Sequence, residues 1–398
     1  MLEGEGVLCF APECWDGLWR SRQHIMSVLA RRNMVLFVEP RAYLKPVIKQ
    51  ISLRRLSLNQ SGRWKLSHVG DHLYVLRQPA LAPVSGNFLI GAATAFIRRS
   101  IIKRAMKNLR IDNPIVWIER PDTWDEAGRF GEKLLVYRVV DEYSAYQGLT
   151  PEARALTREQ ERWLMDRADL VLVASRSLLA SKSQLNPNTY LVPHGVDHSR
   201  FAIAMADSRP LPADIAVVPR PIVGYIGLVG ARLDLPLLAE IAVSHPDWSL
   251  VFVGETNAVG CEEPLRRLER SPNVYFLGRK DVKSVPYYVR AFDVGIIPYR
   301  QDEEACHANP LKLLEYLACG KPVVSANILS AREFADVVDI AEHRDSFVTL
   351  VERALENKGD NAAVRLRQEV AERNTWERVA NTLSEILAAA IERKKRER

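Results

Sequence analysis

The chain has 398 residues, of which 47% are hydrophobic and 26% charged, with a formal net charge of +6. This composition excludes disordered and collagen-like classes, and the length exceeds what one core usually holds, so two domains are expected. The longest apolar stretches, near Leu89–Ile97 and Ile222–Ala231, are about half the ~18 residues a bilayer-spanning helix needs.

The opening Met1-Leu-Glu-Gly-Glu-Gly carries acids where a secretion signal needs bases. The five cysteines (Cys9, Cys14, Cys261, Cys306 and Cys319) include no CxxC pair. Both features lead us to expect a cytoplasmic protein with reduced thiols and no zinc site. Charge is distributed unevenly: residues 1–110 carry 18 Lys and Arg against 6 Asp and Glu, a net +12, and the remainder sums to −6. A basic first third suggests an anionic partner.

In chain order, short apolar runs alternate with helical patterns, the signature of parallel sheets wrapped by helices. Strands are predicted at Gly6–Ala11, Val35–Val38, Ile115–Ile118, Leu134–Val140, Leu170–Ala174 and Tyr190–Val192. Helices are predicted at Arg20–Arg31, Phe88–Leu109, Pro151–Arg167 and Ser177–Ser183. In Phe88–Arg110, apolar residues recur at helical spacing while Arg98, Arg99, Lys103, Arg104, Lys107 and Arg110 fill other positions. This pattern fits a helix lying on an anionic membrane surface, and equally one packed on its own domain with a solvated basic face.

Residues 206–220, with Pro210, Pro212 and Pro219, read as a linker. A second series follows, with strands at Ile222–Ile226, Ser249–Val253, Val274–Leu277, Val294–Ile297, Pro322–Ser325 and Val338–Ile340. Its helices are Pro236–Ser244, Cys261–Glu269, Ser284–Ala291 and Pro310–Cys319, and a last helix starts at Trp376. The expected fold is α/β: two Rossmann-like, doubly wound parallel-sheet domains, 1–205 and 221–375. Residues 376–398 form a C-terminal helix and basic tail that packs back on the first domain. Functional loops then lie at the carboxyl ends of the strands, facing across a cleft.

The strongest local signal is His307-Ala-Asn-Pro-Leu-Lys-Leu-Leu-Glu-Tyr-Leu-Ala-Cys-Gly-Lys-Pro-Val-Val324. Asn309 suits an N-cap, Pro310 the first helical position and Gly320 the C-terminal stop. A helix opening after a strand presents free N–H groups to a diphosphate, and Lys312 adds a full charge. Glu315, one turn on, is placed to accept from a ribose diol; the alternative is a plain surface pair with Lys312.

Together with Val192-Pro-His-Gly-Val-Asp197, Val223-Gly-Tyr-Ile-Gly227, Asn273-Val-Tyr-Phe-Leu-Gly278 and Phe292-Asp-Val-Gly-Ile-Ile-Pro-Tyr299, this segment resembles the GT-B glycosyltransferases of the family 4 type (group 1). The resemblance covers most of the chain and is most specific between Val192 and Val324. It implies transfer of a sugar from a nucleotide diphosphosugar, UDP favoured over GDP, to a saccharide or polyprenyl-linked acceptor in polysaccharide biosynthesis. Glu315 matches the family's second motif glutamate, a ribose ligand. The first motif glutamate falls at His307, a departure that leaves the contact to the donor sugar open. Family members hold the diphosphate with an Arg and a Lys near the loop Gly227-Leu-Val-Gly-Ala-Arg-Leu-Asp234. Arg232 fills one role, no lysine follows, and Lys312 is the substitute. No DxD triplet occurs, so no metal or other cofactor is expected, and backbone N–H groups with Arg232 and Lys312 would stabilise the leaving group. Arg279 is a weaker candidate for the base or phosphate.

In the first half, Asp141 ends a predicted strand and can deprotonate an acceptor hydroxyl, a placement that resembles the aspartate of xanthan-type glucuronosyltransferases. The alternative is a turn-capping Asp. Glu119 is the second carboxylate candidate. Between the first strand and helix, Trp15-Asp-Gly-Leu-Trp-Arg-Ser-Arg-Gln-His24 offers Gly17, Arg20, Arg22 and His24 to an acceptor. A sugar-nucleotide epimerase or hydrolase, or a non-catalytic nucleotide-binding subunit, would share the donor site. Nucleic-acid binding rests on charge alone and is not expected.

Overall fold

A computed structural model describes all residues except 18, 44–63, 81, 147, 303–304, 306–307 and 398. The chain divides into two units, one of Met1–Pro193 with Val379–Arg398 and one of His194–Arg378.

The first unit holds strands β1 (Gly6–Phe10), β2 (Met34–Val38), β3 (Lys65–Gly70), β4 (Leu73–Arg77), β5 (Ile115–Ile118), β6 (Leu134–Val139), β7 (Leu170–Val173) and β8 (Thr189–Leu191). Their order is β3-β4-β2-β1-β5-β6-β7-β8, parallel throughout except for β3, which runs antiparallel to β4 at the edge. Continuous apolar runs such as Ile-Val-Trp-Ile of β5 are buried along their whole length, as expected when helices cover both faces of a parallel sheet. The β3–β4 hairpin is absent from the sequence expectations. Its first strand is largely exposed and polar, so it lacks the apolar run that marks the other strands.

The second unit has β9 (Ile222–Ile226), β10 (Ser249–Val253), β11 (Val274–Gly278), β12 (Val294–Ile297), β13 (Val323–Ala326) and β14 (Asp339–Ala341), ordered β11-β10-β9-β12-β13-β14 and parallel throughout. In both sheets the order reverses beside the first strand, between β1 and β5 and between β9 and β12. Crevices at such reversals are where open α/β sheets bind ligands.

The unit boundary differs from the expected one. Residues 206–220 are part of the second unit rather than a linker: Ile215 and Val218 lie in its core. Asp214 accepts from the Tyr288 hydroxyl (2.9 Å) and pairs with Lys280 (2.7 Å). His194 and Gly195 of the Pro-His-Gly turn also belong there: Val196 pairs with Thr375, and a Cβ on Gly195 would meet the backbone N of Trp376 at 2.7 Å. The C-terminal helix, Trp376–Arg396, joins the first unit from Val379 onward; its Ser384 hydroxyl accepts from the Leu2 N–H and its Lys394 pairs with Asp169.

One packing detail fixes the helix that follows β12. Gly224 of β9 and Gly295 of β12 are register partners. A Cβ on Gly224 would overlap the Phe292 ring, and one on Gly295 would meet the Tyr316 ring at 2.6 Å. The two rings meet edge-on at 6.2 Å, and the Tyr316 oxygen accepts from the Ile226 N–H (2.9 Å). Overfilling such a slot typically costs about 1–3 kcal/mol. Gly224→Ala is expected to lower the urea-unfolding free energy by about that amount, measured against the wild type.

Candidate active site

The Leu311–Ala318 helix begins one residue later than expected. Pro310, not Asn309, is its N-cap, and no side chain caps it. Its end follows expectation: Gly320 has φ +66°, and its N–H and that of Lys321 bond to Leu317 and Tyr316 carbonyls, a Schellman stop.

Anchored by Tyr316, this helix delivers Lys312 to the reversal point between β9 and β12. The Lys312 side chain is buried, its ammonium donating to the hydroxyls of Tyr225 (3.0 Å) and Tyr299 (2.9 Å) and lying 4.3 and 5.0 Å from their ring centres. Burial disfavours its charge, but the two tyrosine oxygens outweigh that and keep it a cation. Burial pushes the Tyr225 hydroxyl up. At Tyr299 burial acts the same way but is outweighed by Lys312 and Arg232, which hold that hydroxyl below its ordinary value. Hydrogen bonds to a charged group contribute about 1.5–3 kcal/mol each. Among the described residues no carboxylate forms an ion pair with Lys312.

The loop after β9 shapes the same spot. Gly227 has φ +127°, open to glycine alone, and a Cβ there would lie 3.0 Å from the Lys312 nitrogen. A Cβ on Gly254, after β10, would overlap the Gly227 carbonyl oxygen. Farther along, the loop is stitched to the chain after β12 by Asp234 N–H to Pro298 O (2.8 Å) and Arg300 N–H to Arg232 O (3.0 Å). This brings the charge of Arg232 to bear on Tyr299. Arg279 is exposed just beyond β11, and His307 lies outside the described residues.

Glu315, half-buried one turn past Lys312, has no hydrogen-bond partner for its carboxylate among the described residues. Burial pushes its pKa up to about 7, against the pull of Lys312 and of Arg200. The second unit therefore gathers Gly227, Arg232, Lys312 and Glu315 at one end of its sheet. Tyr225 and Tyr299 complete the group. Neither is singled out by the sequence, where Tyr225 reads as an aromatic in an apolar strand and Tyr299 as one just past the end of another; only the adjacency of β9 and β12 joins them.

In the first unit, Asp141 follows β6, and its carboxylate accepts from the Tyr146 hydroxyl (2.7 Å). Glu119 corrects the expectation of an acceptor contact. It is fully buried, accepting from Trp117 Nε1 (2.9 Å), Arg22 Nε (3.3 Å) and Arg138 Nη1 (3.4 Å). Arg22 is buried with it, which removes that residue as an exposed acceptor contact. Arg138, a charge inside an otherwise apolar strand, is the mark this network leaves in the sequence. Gly17 turns tightly, its N–H on the Cys14 carbonyl (3.0 Å). Arg20 lies beside Glu13 (3.4 Å), and His24 is edge-on to Trp19. Among the described residues no group of three His, Cys, Asp or Glu side chains is arranged to hold a metal ion.

Residues 221–357 match the glycosyl transferases group 1 family. The chain is 30% identical over 236 residues to TuaH of Bacillus subtilis (strain 168), named as a teichuronic acid biosynthesis glycosyltransferase. That match covers 56% of this chain and 57% of TuaH, so it spans just over half of the relative's length. Among solved structures, sucrose-phosphate synthase from Thermosynechococcus elongatus superposes with a TM-score of 0.71 at 16% identity, covering 97% of this chain and 98% of that one. Anabaena HepE, solved in complex with UDP and glucose, gives 0.66 at 13%, covering 97% and 100%. The chain thus has the GT-B fold, and its residues 221–357 are similar to the glycosyl transferases group 1 domain.

Proposed function

We infer that the protein transfers a sugar from a nucleotide diphosphosugar to a saccharide or lipid-linked saccharide acceptor in polysaccharide biosynthesis. The observation that carries this reading is the Lys312 ammonium, buried at the sheet reversal and held by hydroxyls rather than by a carboxylate. A diphosphate supplies the missing anion there, with Arg232 and the first-turn N–H groups of the Leu311–Ala318 helix sharing its charge. As the bond to the sugar breaks, negative charge grows on the diphosphate, and these fixed donors stabilise it more than the ground state. Glu315 receives the ribose hydroxyls. The UDP in HepE, a protein of the same fold, favours a UDP-sugar. Asp141 takes or orients the acceptor hydroxyl, and Tyr146 fixes its carboxylate.

A thermal-shift panel of UDP-, GDP- and ADP-sugars tests the donor site. One nucleotide class is expected to stabilise the wild type, by roughly 2.7 kcal/mol at 100 times its dissociation constant. Lys312→Met is expected to weaken that binding about 10- to 100-fold, the loss of one charge-assisted contact. Asp141→Asn is expected to keep the shift while losing transfer. No shift with any sugar nucleotide would overturn the reading.

Glu315 adds a pH dependence. Only its ionised form accepts both hydroxyls of a diol, and its pKa in the free protein is about 7. Donor affinity is therefore full above that pH and falls as pH drops below it, by up to roughly tenfold per unit. A nucleotide sugar has no phosphate titrating in this window, so the slope belongs to the protein. Glu315→Gln is expected to bind more weakly at high pH and to flatten the profile, read by calorimetric titration. A slope of the opposite sign would exclude the role.

A further inference from the structure

The Phe88–Asn108 helix of the first unit is oriented against the usual preference. Arg98 points inward, 3% exposed, and donates to the Ala82 carbonyl (2.8 Å). Arg99 pairs with Glu126 (2.9 Å) and donates to the Asp125 carbonyl (2.7 Å). Ile102, Ala105 and Met106 pack below it. Outward face Phe88 (85% exposed), Leu89 (75%) and Phe96 (74%), with Ile90 and Ile97 beside them. Large apolar side chains grouped on one exposed helix face mark an interaction site rather than the scatter normal for a surface.

The same face changes character along its length. Residues 89, 93, 96, 100, 103 and 107 follow one another at steps of three or four, so they share a stripe. Its first part is apolar. From residue 103 it is cationic, with Lys103, Arg104, Lys107 and, just past the helix end, Arg110 all exposed. Among the described residues none of these four has an ion-pair partner. At 1.5 Å per residue the stripe from Phe88 to Lys107 is about 28 Å long.

We propose that this outward face docks on an anionic lipid bilayer, Phe88, Leu89 and Phe96 entering the interface while Lys103, Arg104 and Lys107 meet lipid phosphates. An apolar patch alone would fit many occupants; charge selects among them. Unpaired cations in line with an apolar stripe match a surface that presents a dense layer of phosphate above hydrocarbon. The two arginines that a hydrophobic-moment argument would assign to the headgroups, Arg98 and Arg99, are instead the helix's attachment to its own unit.

The experiment is flotation of the full chain with vesicles of phosphatidylcholine alone and of equimolar phosphatidylcholine and phosphatidylglycerol. The wild type is expected to float with the anionic vesicles. Lys103→Gln/Arg104→Gln/Lys107→Gln is expected to lose about 100-fold in partitioning to them, near fivefold per charge. Phe88→Ser/Phe96→Ser is expected to lose at least about tenfold. Each replaced side chain is exposed, and each variant is expected to keep the wild-type melting temperature, so a loss is not misfolding. Vesicle binding needs no sugar nucleotide; a chain that floats but binds no nucleotide contradicts the transfer reading and leaves this one standing. Absence of the wild type from anionic vesicles, or variants that float like it, would overturn the proposal. So would a concentration-dependent dimer that Phe88→Ser/Phe96→Ser dissolves while vesicles are ignored, because a second copy would then be the occupant.

Discussion

An ammonium group enclosed by two tyrosines at the end of a parallel sheet is the constraint on which the second unit depends. Removing a charge from water costs several kcal/mol unless partners replace the hydration. For Lys312 those partners are two hydroxyl oxygens and two ring faces, none of them an anion. Each partner comes from a different strand end, so the cation is held only when β9 and β12 are adjacent. Gly224 makes room for Phe292 and Gly295 for Tyr316, and Tyr316 fixes the helix that carries Lys312. Packing and electrostatics therefore specify the same point. A cation satisfied by neutral groups can exchange part of its shell for a phosphate oxygen without first breaking an ion pair.

The first unit shows a different arrangement at its own reversal point. There the carboxylate of Glu119 is spent on Arg22, Arg138 and Trp117, and Tyr143 bonds to its carbonyl (2.7 Å). That network is closed and buried, suited to fixing the ends of β5 and β6 rather than to meeting a ligand. Asp141, farther along the same edge, is only half-buried, and its carboxylate bonds only to the Tyr146 hydroxyl among the described residues, which is why the proposed acceptor role falls to it. Two carboxylates near the ends of adjacent strands thus differ in exposure because one is enclosed with its cations.

Much of the architecture was legible in the residues. Fully buried parallel strands advertise themselves as continuous apolar runs, and all twelve predicted strands correspond to observed ones. Of the β3–β4 hairpin, β3 is an exposed edge strand and carries no such run, whereas β4 does carry one in Leu73–Leu76, absent from the sequence expectations. Residues 206–220 looked like a linker because prolines interrupt their periodicity, yet Ile215 and Val218 tie them into the second core. At the site, Lys312 and Glu315 could be placed by helix geometry, since a turn is a local property. Tyr225, Tyr299 and Arg138 could not, because their importance arises from strand order. The Phe88–Asn108 helix was recognised as amphipathic, but its rotation about its axis was not: the acceptors that draw Arg98 and Arg99 inward lie on other segments, at Ala82, Asp125 and Glu126.

The central claim is that a nucleotide diphosphosugar docks on the backbone and cations where β9 and β12 end. Hydrogen–deuterium exchange with and without a UDP-sugar tests this most directly, because it reads the N–H groups themselves. The account predicts slowed exchange in the 227–232 loop and in residues 309–315. Unchanged exchange in both segments with the ligand bound, or protection confined to residues 11–24 of the first unit, would contradict it.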